Sequence, residues 1–119
     1  MSYVVSMVLP VPKKNLATYR RLQRHMGKVL REHGALKYTE YLADNVKPGK
    51  ITSFPQAVKL KRGEVVVLAH IVYKSRAHHD SVFKKFMTDP RLADVMDPKK
   101  LPFDGRRVFW GGFKPMISL

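Results

Sequence analysis

Five histidines, three amphipathic aromatics and a run of cations without an acid are the residues of this 119-residue chain whose chemistry depends most on where they sit. His70 lies among Val66, Leu68 and Val72, where a neutral imidazole in a dry pocket could serve as a base or a haem ligand. Tyr73 and Trp110 present flat apolar rings with a polar edge, suited to stacking on a planar ligand. Together His70, Tyr73 and Trp110 form a candidate small-molecule pocket. The simpler reading of His70 is a hydrogen-bonded core or dimer-interface histidine, because spacing alone brings no carboxylate beside it. Tyr3, Tyr73 and Trp110 could equally be buried with no ligand.

The cations make a second candidate site. Lys13, Lys14, Arg20, Arg21, Arg24, Lys28 and Arg31 occur before the first nearby acid, Glu32. A solvated helix face would ordinarily interleave glutamates four residues from its lysines, whereas this one repels itself. Arg20, Arg21, Arg24, Lys28 and Arg31 are therefore a candidate anion-binding set, with nucleic acid or another polyanion as a possible partner. The whole chain carries 23 Lys and Arg against 9 Asp and Glu, a net +14, which attracts polyanions without selecting among them. No nucleic-acid motif accompanies the stripe, so base-specific readout is unsupported.

Other chemistries are excluded or weakly supported. The chain has no cysteine, which removes disulfides, thiolate nucleophiles, iron–sulfur ligation and cysteine-based zinc. His25 and His33 are about 12 Å apart along a helix axis and on different faces, adjacent His78 and His79 diverge, and no His-Glu-x-x-His occurs, so no metal site is expected. No Gly-x-Ser-x-Gly elbow is present. Gly111-Gly112 lacks the third glycine and the helix of a dinucleotide loop and instead lets the backbone bend or approach closely. Asp97 and Asp104 read as turn residues, and His33 as a helix-end cap of carbonyls. No pattern names a cofactor. The apolar stretch from Tyr3 to Val11 is too short to span a bilayer and lacks the flanks of a secretion signal, so a cytoplasmic location with no membrane partner is expected.

These residues need elements to hold them. Tyr3 to Leu9 reads as a strand ended by Pro10 and Pro12. From Asn15 to His33, Leu16, Tyr19, Leu22, Met26, Val29 and Leu30 recur at steps of three and four, a helix that Gly34 stops. Leu36 to Leu42 fits a second strand. Residues 45 to 63 carry Lys47, Lys50, Lys59, Lys61 and Arg62 without an acid, and predict a loop with a short edge strand at Val58 to Lys61. Val65 to Tyr73 is a third strand. Ser75 N-caps a second helix that runs to Thr88, with Val82, Phe83, Phe86 and Met87 as its stripe and Asp80 set to pair with Lys84. Asp89-Pro90 ends it, Leu92, Val95 and Met96 suggest one more helical turn, and Asp104-Gly105 turns into a last strand from Arg107 to Phe113.

The order βαββαβ predicts one α+β domain over residues 1–119 with the ferredoxin-like arrangement, an antiparallel sheet with two helices on one face. Its third strand is apolar on both sides: Val65, Val67, Ala69, Ile71 and Tyr73 oppose Val66, Leu68, His70 and Val72. The first and last strands repeat the pattern. An uncovered apolar face would aggregate, and its simplest cover is the same face of a second chain in a two-fold homodimer.

Several strings occur together: Val8-Leu-Pro-Val-Pro12, Arg31-Glu-His-Gly-Ala-Leu36, Val46-Lys-Pro-Gly-Lys50, Thr52-Ser-Phe-Pro55, Ser75-Arg-Ala-His78, Met96-Asp-Pro98, Pro102-Phe-Asp-Gly105 and Gly111-Gly-Phe113. Through them the sequence resembles the YbaA-like family of small bacterial proteins of unknown function along nearly its whole length. The resemblance implies membership of the dimeric α/β-barrel superfamily, in which two ferredoxin-like sheets pack into one barrel, and supplies no established reaction. Val5-Ser6 stands where the family usually has Asp-Gly, and His70 where an aromatic is common, so no carboxylate on strand one is carried over. Two functions follow as expectations. One is a homodimeric small-molecule-binding domain or small enzyme with a pocket between sheet and helices. The other is a basic polyanion-binding module working through helix one.

Overall fold

The computed structural model describes residues 2–93, 95 and 97–119. Strand β1 (Tyr3–Pro12) leads through a 3-10 turn into helix α1 (Leu16–Glu32). Then come β2 (Lys37–Leu42), a short helix α2 (Phe54–Ala57), β3 (Glu64–Tyr73), helix α3 (Arg76–Met87), a turn of helix α4 (Pro90–Ala93) and β4 (Phe109–Phe113). The four strands form a single antiparallel sheet in the order β2-β3-β1-β4.

Local signals explain the helix ends. Gly34 takes a φ of +122° directly after α1, a conformation open to glycine at a helix terminus. The Ser75 side chain accepts from the His78 N–H at 3.0 Å and starts α3. Asp97 and Asp104 accept from the Lys99 and Arg106 N–H groups, both at 3.0 Å, as their turn positions suggested.

The pairing register assigns each residue to a face. Val5, Leu9, Val11, Val67, Ile71 and Tyr73 point toward α1 and α3, where they pack with Tyr19, Val29, Leu30, Val82 and Phe86. The other face carries Val4, Ser6, Val8, Val66, Leu68, His70 and Val72. Part of that face is covered by the chain itself: Val58 is 1% exposed and packs on Val8 and Val66, with Ala43, Val46 and Leu60 around it. Among the described residues no helix covers the rest, and Tyr41, Phe109 and Phe113 stay half-exposed around its edges.

Five expectations change. Pro10 and Pro12 do not end the first strand, which runs on to Pro12 with Pro10 opposite Val66 and Pro12 opposite Glu64. Its pairing with β4 stops at Val8, so beyond that residue β1 is an edge, where a missing N–H is tolerated. No edge strand forms at Val58 to Lys61; instead Ser53 caps α2, accepting from the Gln56 N–H at 3.2 Å, with Pro55 in the first turn. A serine cap followed by proline is a helix start, and the apolar Val58 and Leu60 anchor that turn on the sheet rather than extend it. The last strand starts at Phe109, because Gly105–Arg107 are held in a 3-10 turn by Asp104. His33 does end α1, its N–H donating to the Val29 carbonyl at 3.1 Å, but its ring bonds to Asp89 Oδ2 at 2.7 Å instead of to α1 carbonyls, since the start of α4 brings a carboxylate within reach. Asp80 bonds to the His79 ring at 2.9 Å instead of Lys84, a neighbour needing no long side chain to be ordered. Met96 lies outside the described residues.

Candidate functional site

On α1 the residues Tyr19, Gln23 and Gly27 are four apart and therefore share one face. On β2 the residues Tyr38 and Glu40 are two apart, share the helix-covered face, and pair with Ile71 and Ala69 of β3. Where α1 crosses β2 the two sets meet. Tyr19 Oη donates to Glu40 Oε1 at 2.5 Å, Tyr38 Oη donates to Glu40 Oε2, and Gln23 Nε2 donates to Glu40 Oε2 at 3.0 Å. Gln23 Nε2 also donates to Tyr38 Oη at 3.3 Å. A carboxylate is thus clamped by three neutral donors.

Gly27 makes the approach possible. A Cβ there would lie 2.7 Å from Tyr38 Cδ1, closer than carbon atoms tolerate, so the ring packs directly on the helix backbone. Burial first, and then the negative charge of Glu40, hold both tyrosine hydroxyls well above their ordinary value of 10. Both stay protonated and donating across the physiological range.

This cluster floors a cleft of about 520 Å³ between α1 and the outer strand β2, rimmed by Arg20, Arg21 and Arg24. An adjoining groove of about 610 Å³ continues along α1, with Arg24, Lys28, Arg31 and Lys37 beside Gly27 and Tyr38. All five cations of the candidate anion-binding set are exposed, and among the described residues none of them forms an ion pair. The cleft therefore presents a carboxylate below and guanidinium groups at the mouth.

The other sequence candidates are spread apart. His70 pairs with Ser6 and Thr39 on the face away from the helices, where its ring meets Tyr41 edge-on at 6.1 Å. Tyr73, three residues on, points the opposite way and is 1% exposed, packed edge-on against His79 at 4.9 Å. Burial pushes its hydroxyl up to about 12. Trp110 pairs with Met7 on the edge strand β4 and is 63% exposed. These three side chains do not line one cavity. Gly111-Gly112 serves a close approach: a Cβ on Gly112 would collide with the Tyr3 ring. Among the described residues no three His, Asp or Glu side chains group as metal ligands, and no helix is long and apolar enough to cross a membrane.

Sequence reasoning read Tyr19 as one more core residue and passed over Gln23, Tyr38 and Glu40. Two signals pointed to them: a glycine inside a helix, and an acid on the inward side of a strand.

Residues 2–105 match the family described as Protein of unknown function (DUF1428). The chain is 37% identical over 118 residues to Uncharacterized protein YbaA of Escherichia coli K12, covering 99% of each, and equally to YbaA of Shigella flexneri. Among solved structures, De novo designed protein Foldit4 is similar in fold, with a TM-score of 0.50 over 97% of this chain and 99% of that one, at 12% identity.

Proposed function

The chain belongs to the YbaA-like family of unknown function (DUF1428), and on that premise we propose that it is a homodimeric small-molecule-binding domain whose ligand is acidic and enters the cleft between α1 and β2. The observation that carries this is the cleft's mouth, lined by Arg20, Arg21 and Arg24, which are exposed and, among the described residues, in no ion pair. A concave opening of a few hundred Å³ with aromatic walls and a small number of convergent polar groups is a usual form of small-ligand site. It differs from the expected pocket in its residues, and agrees with it in lying between sheet and helices.

The strand order β2-β3-β1-β4 with two helices on one face supports the ferredoxin-like arrangement. The uncovered apolar part of the opposite face supports a second copy as its cover, which encloses His70 between two sheets as an interface residue. Cytoplasmic location belongs to the same reading.

A second reading has its own support. Arg20, Arg21, Arg24, Lys28 and Arg31 run exposed along one helix, without ion pairs among the described residues, a stripe that fits a polyanion as well as a small acid. Native mass spectrometry of the purified protein, with and without a high-salt wash, separates the two. A dimer that keeps a small added mass through the wash, and loses it when Arg20 and Arg24 become alanine, is the expected result. A bare dimer that sheds nucleic acid only in salt would transfer the function to the helix stripe, where log K should fall with log salt by about 0.9 per phosphate contacted on duplex DNA.

A further inference from the structure

The cleft holds both signs of charge, and among the described residues neither is neutralised by an ion pair. A carboxylate offers about four acceptor positions. Three on Glu40 are taken, one on Oε1 by Tyr19 and two on Oε2 by Tyr38 and Gln23, which leaves one on Oε1. All three donors are neutral. Among the described residues the ion pairs engage Glu32, Glu64, Asp80, Asp89 and Asp104, and none engages Glu40. This half-buried anion sits in a chain of net +14, with three arginines at the mouth of its own cleft, and still has no cation partner among the described residues.

We propose that the cleft's ligand is a small zwitterion, whose acidic group lies against Arg20, Arg21 and Arg24 and whose protonated amine donates to the free position of Glu40. The inference rests on the cleft being the ligand site. A ligand with acidic groups alone is repelled by Glu40 once it passes the rim. One with amines alone must cross three guanidinium groups to arrive. A molecule carrying both charges satisfies both ends, and each contact is a charge-assisted hydrogen bond, stronger than its neutral counterpart.

The test is calorimetric titration of the wild-type protein with ω-amino acids from glycine to 6-aminohexanoate. Each is compared with the carboxylate lacking the amine and with the ω-hydroxy acid, at one ionic strength. The expected result is that at least one amino acid binds roughly tenfold or more tighter than both counterparts. Glu40→Gln should remove most of that margin, while Arg24→Ala weakens acids and amino acids alike. Equal affinity for an acid and its amino acid, with Arg24→Ala weakening both, overturns the zwitterion and leaves the acidic-ligand cleft standing. No binding of any probe overturns both. The wild-type comparison needs no variant, so a Glu40→Gln protein that fails to fold leaves the test intact.

Discussion

Gly27 sits in the middle of α1, where glycine costs a helix about 1 kcal/mol relative to alanine. The reason lies across the cleft, where the Tyr38 ring occupies the space a Cβ would fill. Gly27→Ala sets that helix gain against an overpacking cost of about 1–3 kcal/mol. Because the clash falls on the base of the ring rather than on a free end, the net is a loss of up to about 2 kcal/mol in urea unfolding. Tyr38 is driven off Glu40 at the same time, so cleft binding should fall with it. An alanine variant with wild-type stability and binding would remove the close approach as the reason for the glycine.

Residue-scale electrostatics also gives a pH dependence. The Arg106 N–H, and then the Arg106 and Arg107 side chains, lower the Asp104 carboxyl from its ordinary 3.8 to about 2. Its folded value lies below its unfolded one, so the unfolded chain takes up the proton first as pH falls. The stabilisation is complete above about pH 4 and is lost progressively toward about pH 2. Asp89, held lower still by Arg91 and then His33, acts in the same direction. Urea midpoints measured from about pH 5 to about pH 2 should fall across that window, and Asp104→Asn should flatten the fall. A profile unchanged by Asp104→Asn would assign the acid sensitivity to other carboxylates.

Among elements, the short strand β4 depends on a side chain just before it. Arg107 grips Glu64 with both terminal nitrogens, at 2.7 and 2.6 Å, its Nε reaches Asp104 at 3.1 Å, and Nη1 reaches the Lys59 carbonyl at 3.1 Å. Lys59 adopts a φ of +51°, and its carbonyl accepts from this guanidinium. One residue thereby ties the start of β3, the turn after α2 and the entry to β4. Arg107→Ala leaves the Glu64 carboxylate without its fork and should cost about 2 kcal/mol, between a surface and a buried pair. Arg107→Lys should recover only part, because an ammonium cannot make the paired contact. Hydrogen exchange of the Phe109–Phe113 amides should quicken in both variants; unchanged protection would mean that the β1 pairing alone holds the strand.

For the whole molecule, the open sheet face is the decisive surface. Val72 lies on it, paired with Val4 and Lys37. In the proposed dimer a charge there is buried against the partner sheet, so Val72→Lys should shift sedimentation from dimer to monomer while the secondary structure is kept. A dimer that survives the substitution would direct the interface elsewhere. The apolar pattern on both sides of β3 was legible in the sequence. That the segment from Ala43 to Leu60 folds back over part of that face was not, because Val58 and Leu60 alternate as a strand would and find the sheet only through the α2 turn.

What the sequence by itself determined are properties set by neighbours a few residues apart. Those are the strands and two long helices from their periods, the stop at Gly34, the cap at Ser75, the turns at Asp97 and Asp104, the two-sided apolar strand, the basic stripe and the family. Only the tertiary structure decided which of these residues meet. Tyr19 and Glu40 are 21 residues apart and look like core and surface in isolation. Their contact depends on the line along which α1 crosses β2, a long-range packing outcome that no local period encodes. The same crossing set part of the stripe read as an anion-binding helix face at the rim of a cleft, and the pairing register sent His70 and Tyr73 to opposite faces of one strand.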